Sequence, residues 1–465
     1  MSIFSLSPSL TMRRNRLPQC IAAFFVLSAP LAQATTFVTN CNDAGPDSLR
    51  AALTNAVESD TVDATGLAGI CSTITLATGS IVIGVDNLTV LGPGVTTLNV
   101  RQSGSDRIFT HNGTGLLTVT DMELSHGYAY AYATDANGGC IYSKGSVSVD
   151  HSLVYDCLAR TVSGRASGGG IFTRGATTVT YSTIRSNYAL AVDTDGAGSG
   201  PVTGGGGGIE SYGDFTALYT TIVHNAAFNN AQTSGIGGGV FALGTTVVIS
   251  GTTLAGNFAG DAAGGIVSAG GTFRMVNSTV SGNGAGRVGG VYSEALHTYV
   301  YNSTIAFNTS GSGTVAAGLQ ILQTFGTAIL ESTLISDNTY GAAHFANDFY
   351  TSPFNSFTGN NNLIGVSHTF LPPDTIVGTC ALLAPLADNG GLTFTHRLRS
   401  GSPAINAGNN TGASAFDQRG GHLANGVRDY PRVSGPPGGT AVADIGAFEV
   451  DQSDAIYDAS FEGCP

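Results

Sequence analysis

The chain has 465 residues, of which 66 are glycine and 42% are hydrophobic, with 11% charged residues and no tryptophan. Glycine does not recur every third residue, which excludes collagen, and the even spread of Val, Ile, Thr and Leu argues against disorder. The formal net charge of −13 sets the surface against DNA, RNA and anionic membranes, so no nucleic-acid partner is expected.

Arg13, Arg14 and Arg16 precede an apolar stretch from Ile21 to Leu31, and Ala32-Gln33-Ala34 supplies small residues for cleavage. This predicts a signal peptide over residues 1–34 and export to the extracellular or outer-membrane surface. A short membrane anchor is the alternative, although the stretch is short for spanning a bilayer. Beyond it 15 basic residues face 31 acidic ones, and Lys144 is the only lysine. Without Cys20, six of the seven cysteines remain, an even number that suits disulfides in an oxidising compartment. Proximity suggests Cys41–Cys71 and Cys140–Cys157, leaving Cys380–Cys464. Zinc needs clustered Cys/His spacing and no CxxC is present, so no zinc site is expected; no other metal and no cofactor is assigned.

Residues 35–79 read as an N-terminal cap. Asp47 or Ser48 is suited to start a helix whose Leu49, Ala52, Leu53, Ala56 and Val57 fall on one face and close the end of the stack. Runs at Ser80–Ile83, Leu88–Leu91 and Leu116–Thr120 read as strands. From residue 138 one unit recurs seven times at intervals of 25 to 38 residues. It opens with a glycine pair and an aliphatic residue (Ile141, Ile171, Ile209, Val240, Ile266, Val291, Leu319). It closes on Ser/Thr-Thr-aliphatic-x-x-Asn, giving Asn187, Asn225, Asn257, Asn283 and Asn308.

Such a period, filled with β-branched residues and glycine, predicts an all-β, right-handed, single-stranded parallel β-helix over residues 80–365. Equivalent residues then stack about 4.8 Å apart. The aliphatic ladder fills the interior. The Asn ladder sits at a turn, where Asn tolerates left-handed geometry and its amide bonds its stacked neighbour. In the first unit Cys157 stands at the Asn position.

The Gly-Gly-x-Ile and x-x-Asn units resemble the repeats of polymorphic outer membrane proteins of the pectate-lyase-like β-helix class. Cys41-Asn42-Asp43-Ala44-Gly45-Pro46-Asp47-Ser48-Leu49-Arg50 resembles in part the CSLREA-type N-terminal segment of bacterial adhesin-like proteins. Four ordered motifs, Leu386–Thr393, Gly401–Gly408, Asp417–Gly420 and Asp444–Glu449, resemble the choice-of-anchor Q proteins over residues 366–450, followed by a tail at 451–465. These resemblances imply a secreted or surface β-helix, peripheral or anchored rather than membrane-spanning, that is adhesin-like and binds a surface glycan or another surface protein. The fold class also contains lyases and glycoside hydrolases of acidic polysaccharides, which is the alternative.

For catalysis the carboxylates of the repeats (Asp150, Asp156, Asp193, Asp195, Glu210, Asp214, Asp261, Glu294, Glu331 and Asp337) do not share one ladder position, so no catalytic residue is assigned. Ser125-His126-Gly127 reads as a coil corner. Two ladders are candidates for ligand binding. Lys144, Arg174 and Tyr212 lie three residues past the interior aliphatic and could hold an acidic saccharide. His151, Tyr181 and Tyr219 precede the Ser/Thr-Thr pair and could stack on sugar rings, or simply stabilise the sheet. Residues 366–450 are expected to form a C-terminal capping region, closed by a buried polar network of Asp417, Arg419, Asp444 and Glu449.

Overall fold

The computed structural model describes residues 34–192, 203–313, 315–323, 325–353, 356–409, 414–420, 430–432 and 442–450. The expected signal peptide, Asp193, Asp195, Cys464 and the tail lie outside these residues. The described chain is a parallel β-helix, of the right-handed kind that crossovers between parallel strands favour. From Tyr128 onward most coils cross three main sheets, and the earlier coils two. A wide sheet takes two strands from most coils, a second sheet of twelve strands takes one, and a third sheet of nine covers the remaining side.

The aliphatic ladder is continuous. Ile141, Ile171, Ile209, Val240, Ile266, Val291 and Leu319 pair in register through the wide sheet, and Ile81, Phe109 and Phe349 extend the column. All ten are fully buried. Burial of each such side chain contributes about 1.5–3 kcal/mol, which makes the interior the main source of stability. The corners are tight. Gly206 turns with φ 53°, and a Cβ on Gly207 would collide with the carbonyl of Gly238 in the next coil.

The Asn ladder forms with one correction. Each Asn amide donates to the Oδ1 of the next, as Asn187 does to Asn225 at 2.9 Å and Asn225 to Asn257 at 3.0 Å. Each also donates to a carbonyl of the preceding coil. The left-handed backbone, however, belongs to the preceding residue: Ser186 has φ 53° and His224 φ 56°, while the ladder Asn residues do not. The Asn is therefore selected for its buried amide rather than for its φ. His126, φ 59°, lies at the same corner, as expected.

Ser48 caps the only α-helix of the described residues, α1 (Leu49–Asn55), accepting a bond from Ala51 N. Leu49, Ala52 and Leu53 bury against the core, while Val57 lies beyond the helix and is exposed, contrary to the expected face. Arg50 ties the cap to the stack, bonding Asp43 and the carbonyls of Gly79 and Ser80. Cys41–Cys71 and Cys140–Cys157 are bridged, with Cα separations of 6.4 and 5.5 Å. Cys380 is disulfide-bonded as well.

Residues from Ala381 onward build a second core on the outer face of the second sheet, where Ala306, Leu334 and Leu363 meet Leu383, Leu398, Ala404 and Ile445. The expected C-terminal capping region thus lies along the flank of the stack from Thr253 to Leu363, where polar bonds fix it as a plate. Thr253 Oγ1 donates to Phe394 O at 2.6 Å, Asn277 Nδ2 to Phe416 O at 2.8 Å, and Thr279 Oγ1 to Gln418 Oε1 at 2.6 Å. The expected polar network lies within it and is joined by the fully buried Arg432, which the sequence reading did not single out.

Candidate functional site

The turn from the wide sheet into the second sheet repeats one conformation. Asp121, His151, Tyr181, Tyr219 and Gly251 hold φ between 42° and 60° at successive coils. The following Ser or Thr explains the turn: Ser182 Oγ donates back to Thr180 O and accepts from Ser152 N of the previous coil. Left-handed backbone costs a non-glycine residue about 1–2 kcal/mol. Three aromatics at this position form a stack that offsets the cost. The rings of His151 and Tyr181 lie 4.8 Å apart and 18° from parallel, those of Tyr181 and Tyr219 5.4 Å and 10°.

This geometry alters what the column can do. Each interior ring face is covered by its neighbour, and Tyr219 lies against Gly251, so the column as a whole does not offer a row of open faces. Its first member differs. His151 is exposed, its Nδ1 is held by Asp150 Oδ2 at 2.8 Å, and Asp150 is in turn bonded by Thr180. His151 and Tyr181 border a cleft of about 410 Å³, whose other walls are Val95, Asp121, Ser152, Leu153 and Thr183. Apolar Val95 and Leu153, an oriented imidazole and the Asp121 carboxylate make a surface suited to an amphipathic ring bearing hydroxyls. At the other end of the column, Tyr219 opens to a smaller cavity of about 130 Å³ shared with Asn277 of the stack and with Phe416 and Asp417 of the plate edge. Burial and the neighbouring Tyr181 push the Tyr219 phenol up.

Arg185 stands over the ring of Tyr155 at 4.5 Å, and Tyr155 Oη accepts from Asn99 Nδ2 at 2.9 Å. Asn99 Oδ1 accepts from Ser125.

Lys144, Arg174 and Tyr212 do stack at the backbone, since Arg174 N bonds Ser143 O and Tyr212 N bonds Thr173 O. Their side chains do not act as one site. Lys144 and Arg174 are exposed, while Tyr212 turns to a different cation, its hydroxyl accepting from Arg165 Nη1 at 3.2 Å. Arg165 also pairs with the fully buried Glu210 at 2.8 Å. Burial pushes the Glu210 carboxyl up to about 7, against the pull of Arg165.

Sequence reasoning missed this pair, yet a signal was present. Glu210 takes the outward ladder position occupied by Tyr142, Phe172 and Phe241 in neighbouring coils, so it is the charge in an aromatic column. Val95 and Asp121 were missed for a different reason: they belong to coils before the recognisable repeat. Among the described residues no group of three or more His, Cys, Asp or Glu side chains is placed to hold a metal ion.

No family model matches the chain, and no curated protein matches it. Among solved structures it is similar to the crystal structure of pectate lyase Pel9A, at 15% identity and a TM-score of 0.45, over 90% of this chain and 97% of that one. The fold assignment rests on the chain's own strand pairing. Among the described residues no helix is long and apolar enough to cross a membrane.

Proposed function

We propose that this protein is an exported, surface-associated β-helix that holds a saccharide chain without cleaving it, and that the cleft at His151 and Tyr181 is the binding site. One observation carries the reading: an exposed imidazole, oriented by Asp150 and backed by a stacked tyrosine, borders a cleft with apolar walls and a carboxylate. Hydrogen bonds to sugar hydroxyls and packing against the sugar's apolar face both have partners there. The disulfides suit an oxidising compartment. The resemblance of the repeats and C-terminal motifs to polymorphic outer membrane and choice-of-anchor Q proteins supports an adhesin-like role at the cell surface.

A glycan array with the mature protein tests this. Retention of a defined saccharide, lost in His151→Ala with Tyr181→Ser and accompanied by no depolymerised product, supports binding. A wild-type protein that shortens the retained polymer overturns it.

The second reading is lyase or hydrolase action on an acidic polysaccharide. Glu210, whose carboxyl burial holds near 7, is fully buried and gives that reading no general acid or base within reach of a substrate. Release of shortened product from a uronic-acid polymer by the wild-type protein is its signature.

A further inference from the structure

The cleft at His151 and Tyr181 has a polarity that narrows what it holds. Asp121, His151 and Tyr181 take the same corner position on three successive coils, joined where Asp121 N donates to Asp150 O and His151 N to Thr180 O. The Tyr181 ring covers one face of the His151 ring at 4.8 Å. The opposite face of the imidazole is therefore turned toward the coil of Asp121, and both side chains line the cleft. A sugar ring packed on that open face meets the Asp121 carboxylate at its edge.

Charge decides which sugar gains most there. One Asp121 oxygen accepts from Thr120 Oγ1 at 2.8 Å, and the carboxylate makes no ion pair among the described residues. Asp150 holds His151 Nδ1. Glu123, in register with Leu153 of the cleft wall, accepts from Thr96 N at 3.2 Å and so fixes the turn that carries Val95. The walls contain no Lys or Arg; Arg185, two residues beyond Thr183, is drawn over the Tyr155 ring instead. A uronic acid would bring a second carboxylate to Asp121 with no cation between them. A neutral sugar offers Asp121 only hydroxyl donors. An ammonium forms a charge-assisted hydrogen bond, roughly twice as strong as a neutral one, while the ring that carries it still packs on the imidazole. The net charge of −13 draws the same ligand in from farther away.

From this we infer that the saccharide held in the cleft is an amino sugar with a free ammonium, one unit of a polycationic chain, with Asp121 receiving the ammonium and His151 the apolar face of the ring. This rests on the cleft being the saccharide site and adds the class of saccharide it takes.

Calorimetric titration of the mature protein with three hexasaccharides tests it: β-1,4-linked glucosamine, its N-acetylated counterpart and galacturonate. The titrations are run at pH 5.5, where the amines are protonated, and in about 0.15 M salt, where exposed charges more than about 8 Å away are largely screened. The free-amine hexamer is expected to bind about tenfold tighter than the N-acetylated one, and galacturonate not measurably. Asp121→Asn is expected to remove that preference and leave the N-acetylated hexamer unaffected. Asn tolerates the left-handed backbone of this corner, and melting curves verify the fold. Should this variant fail to fold, Asp121→Gly, equally suited to the corner, carries the same expectation. Asp156→Asn, which removes an equal charge outside the cleft walls, is expected to change nothing. Equal affinity for the free-amine and N-acetylated hexamers, lost in His151→Ala with Tyr181→Ser, overturns the amine and leaves the cleft standing. Cleft-dependent binding of galacturonate does the same. Equal effects of Asp121→Asn and Asp156→Asn also overturn it, and assign the attraction to the acidic surface at large. Binding that survives His151→Ala with Tyr181→Ser, or no binding of any hexamer, removes the cleft as the site and the amine with it.

Discussion

Asn338 donates both its backbone N–H and its side-chain amide to one oxygen of Asp348, at 2.9 and 2.8 Å, and so ends the Asn ladder on a carboxylate. The other Asp348 oxygen accepts from Val366 N at 2.8 Å. Both sides of the residue therefore present donors, and only an acceptor-only side chain satisfies them. An Asn here would set its own NH₂ against one of these N–H groups. Asp348→Asn is expected to cost about 1–3 kcal/mol, a buried donor left unpaired. Urea denaturation of the variant measures it, and an unchanged midpoint would show that the ladder needs no terminator.

Within the ladder the cost should be larger. Asn257 accepts from the backbone and amide of Asn225 and donates to Ile222 O and Asn283 Oδ1. Asn257→Ala orphans several buried groups at once, for an expected loss of about 3 kcal/mol or more. Asn257→Asp keeps the acceptors but turns the donations into repulsion, and should be no better. Because coils contact mainly their neighbours, hydrogen exchange should quicken first in the coils around residue 257 rather than throughout the stack.

The buried network of the C-terminal plate holds, among the described residues, three carboxyls (Asp417, Asp444 and Glu449) and two guanidiniums (Arg419 and Arg432). Asp417 accepts from Arg419 N and Nε and from Glu449 N, and Asp444 from Asn406 N and Val450 N, so these two are the better satisfied as anions. Glu449, the third, accepts from Asp444 N and lies 3.9 Å from Arg432 Nη1; burial and the Asp444 charge push it up to about 9. It is protonated at neutral pH. The folded plate thus binds a proton that the unfolded chain releases near 4.5, and its stability falls as pH rises from there to about 9. Glu449→Gln mimics the protonated form and should flatten this dependence. Limited proteolysis of the plate across pH 6 to 10, with equal slopes for variant and wild type, would count against the assignment.

The interior ladders were legible because one residue type recurs at one place in each coil, and stacking turns that recurrence directly into contact. The terminator was not. After Asn338 the chain folds back, with Tyr340 antiparallel to Phe345, and Asp348 reaches the ladder ten residues on rather than one coil on. The plate's sideways position was equally hidden, because Thr253 and Phe394 are 141 residues apart and the sequence between them carries no mark of their meeting. In the site, the His151–Tyr181–Tyr219 column could be read, but its ring faces could not. Whether stacked aromatics face a ligand or each other depends on rotamers at a left-handed turn, and that is a property of packing.

Glu210 supplies the last prediction. It is buried between Phe172 and Phe241 in register, with Arg165 as its counter-charge, and its carboxyl titrates near 7. Its folded value exceeds the ordinary 4.5, so the native state binds the extra proton between those two limits. Stability therefore declines from about pH 4.5 to pH 7, at up to ~1.4 kcal/mol per pH unit while the group is protonated only in the folded chain, and levels off above. Glu210→Gln removes this slope. Arg165→Ala acts in the opposite sense, because without its partner the carboxyl is still harder to ionise. The declining range then extends above pH 7, and the variant should match the wild type near pH 6 yet fall progressively behind by pH 8. Urea midpoints of the three proteins at pH 5, 6, 7 and 8 provide the measurement. A loss from Arg165→Ala that is the same at every pH would mean that Arg165 contributes packing over Phe241 rather than charge.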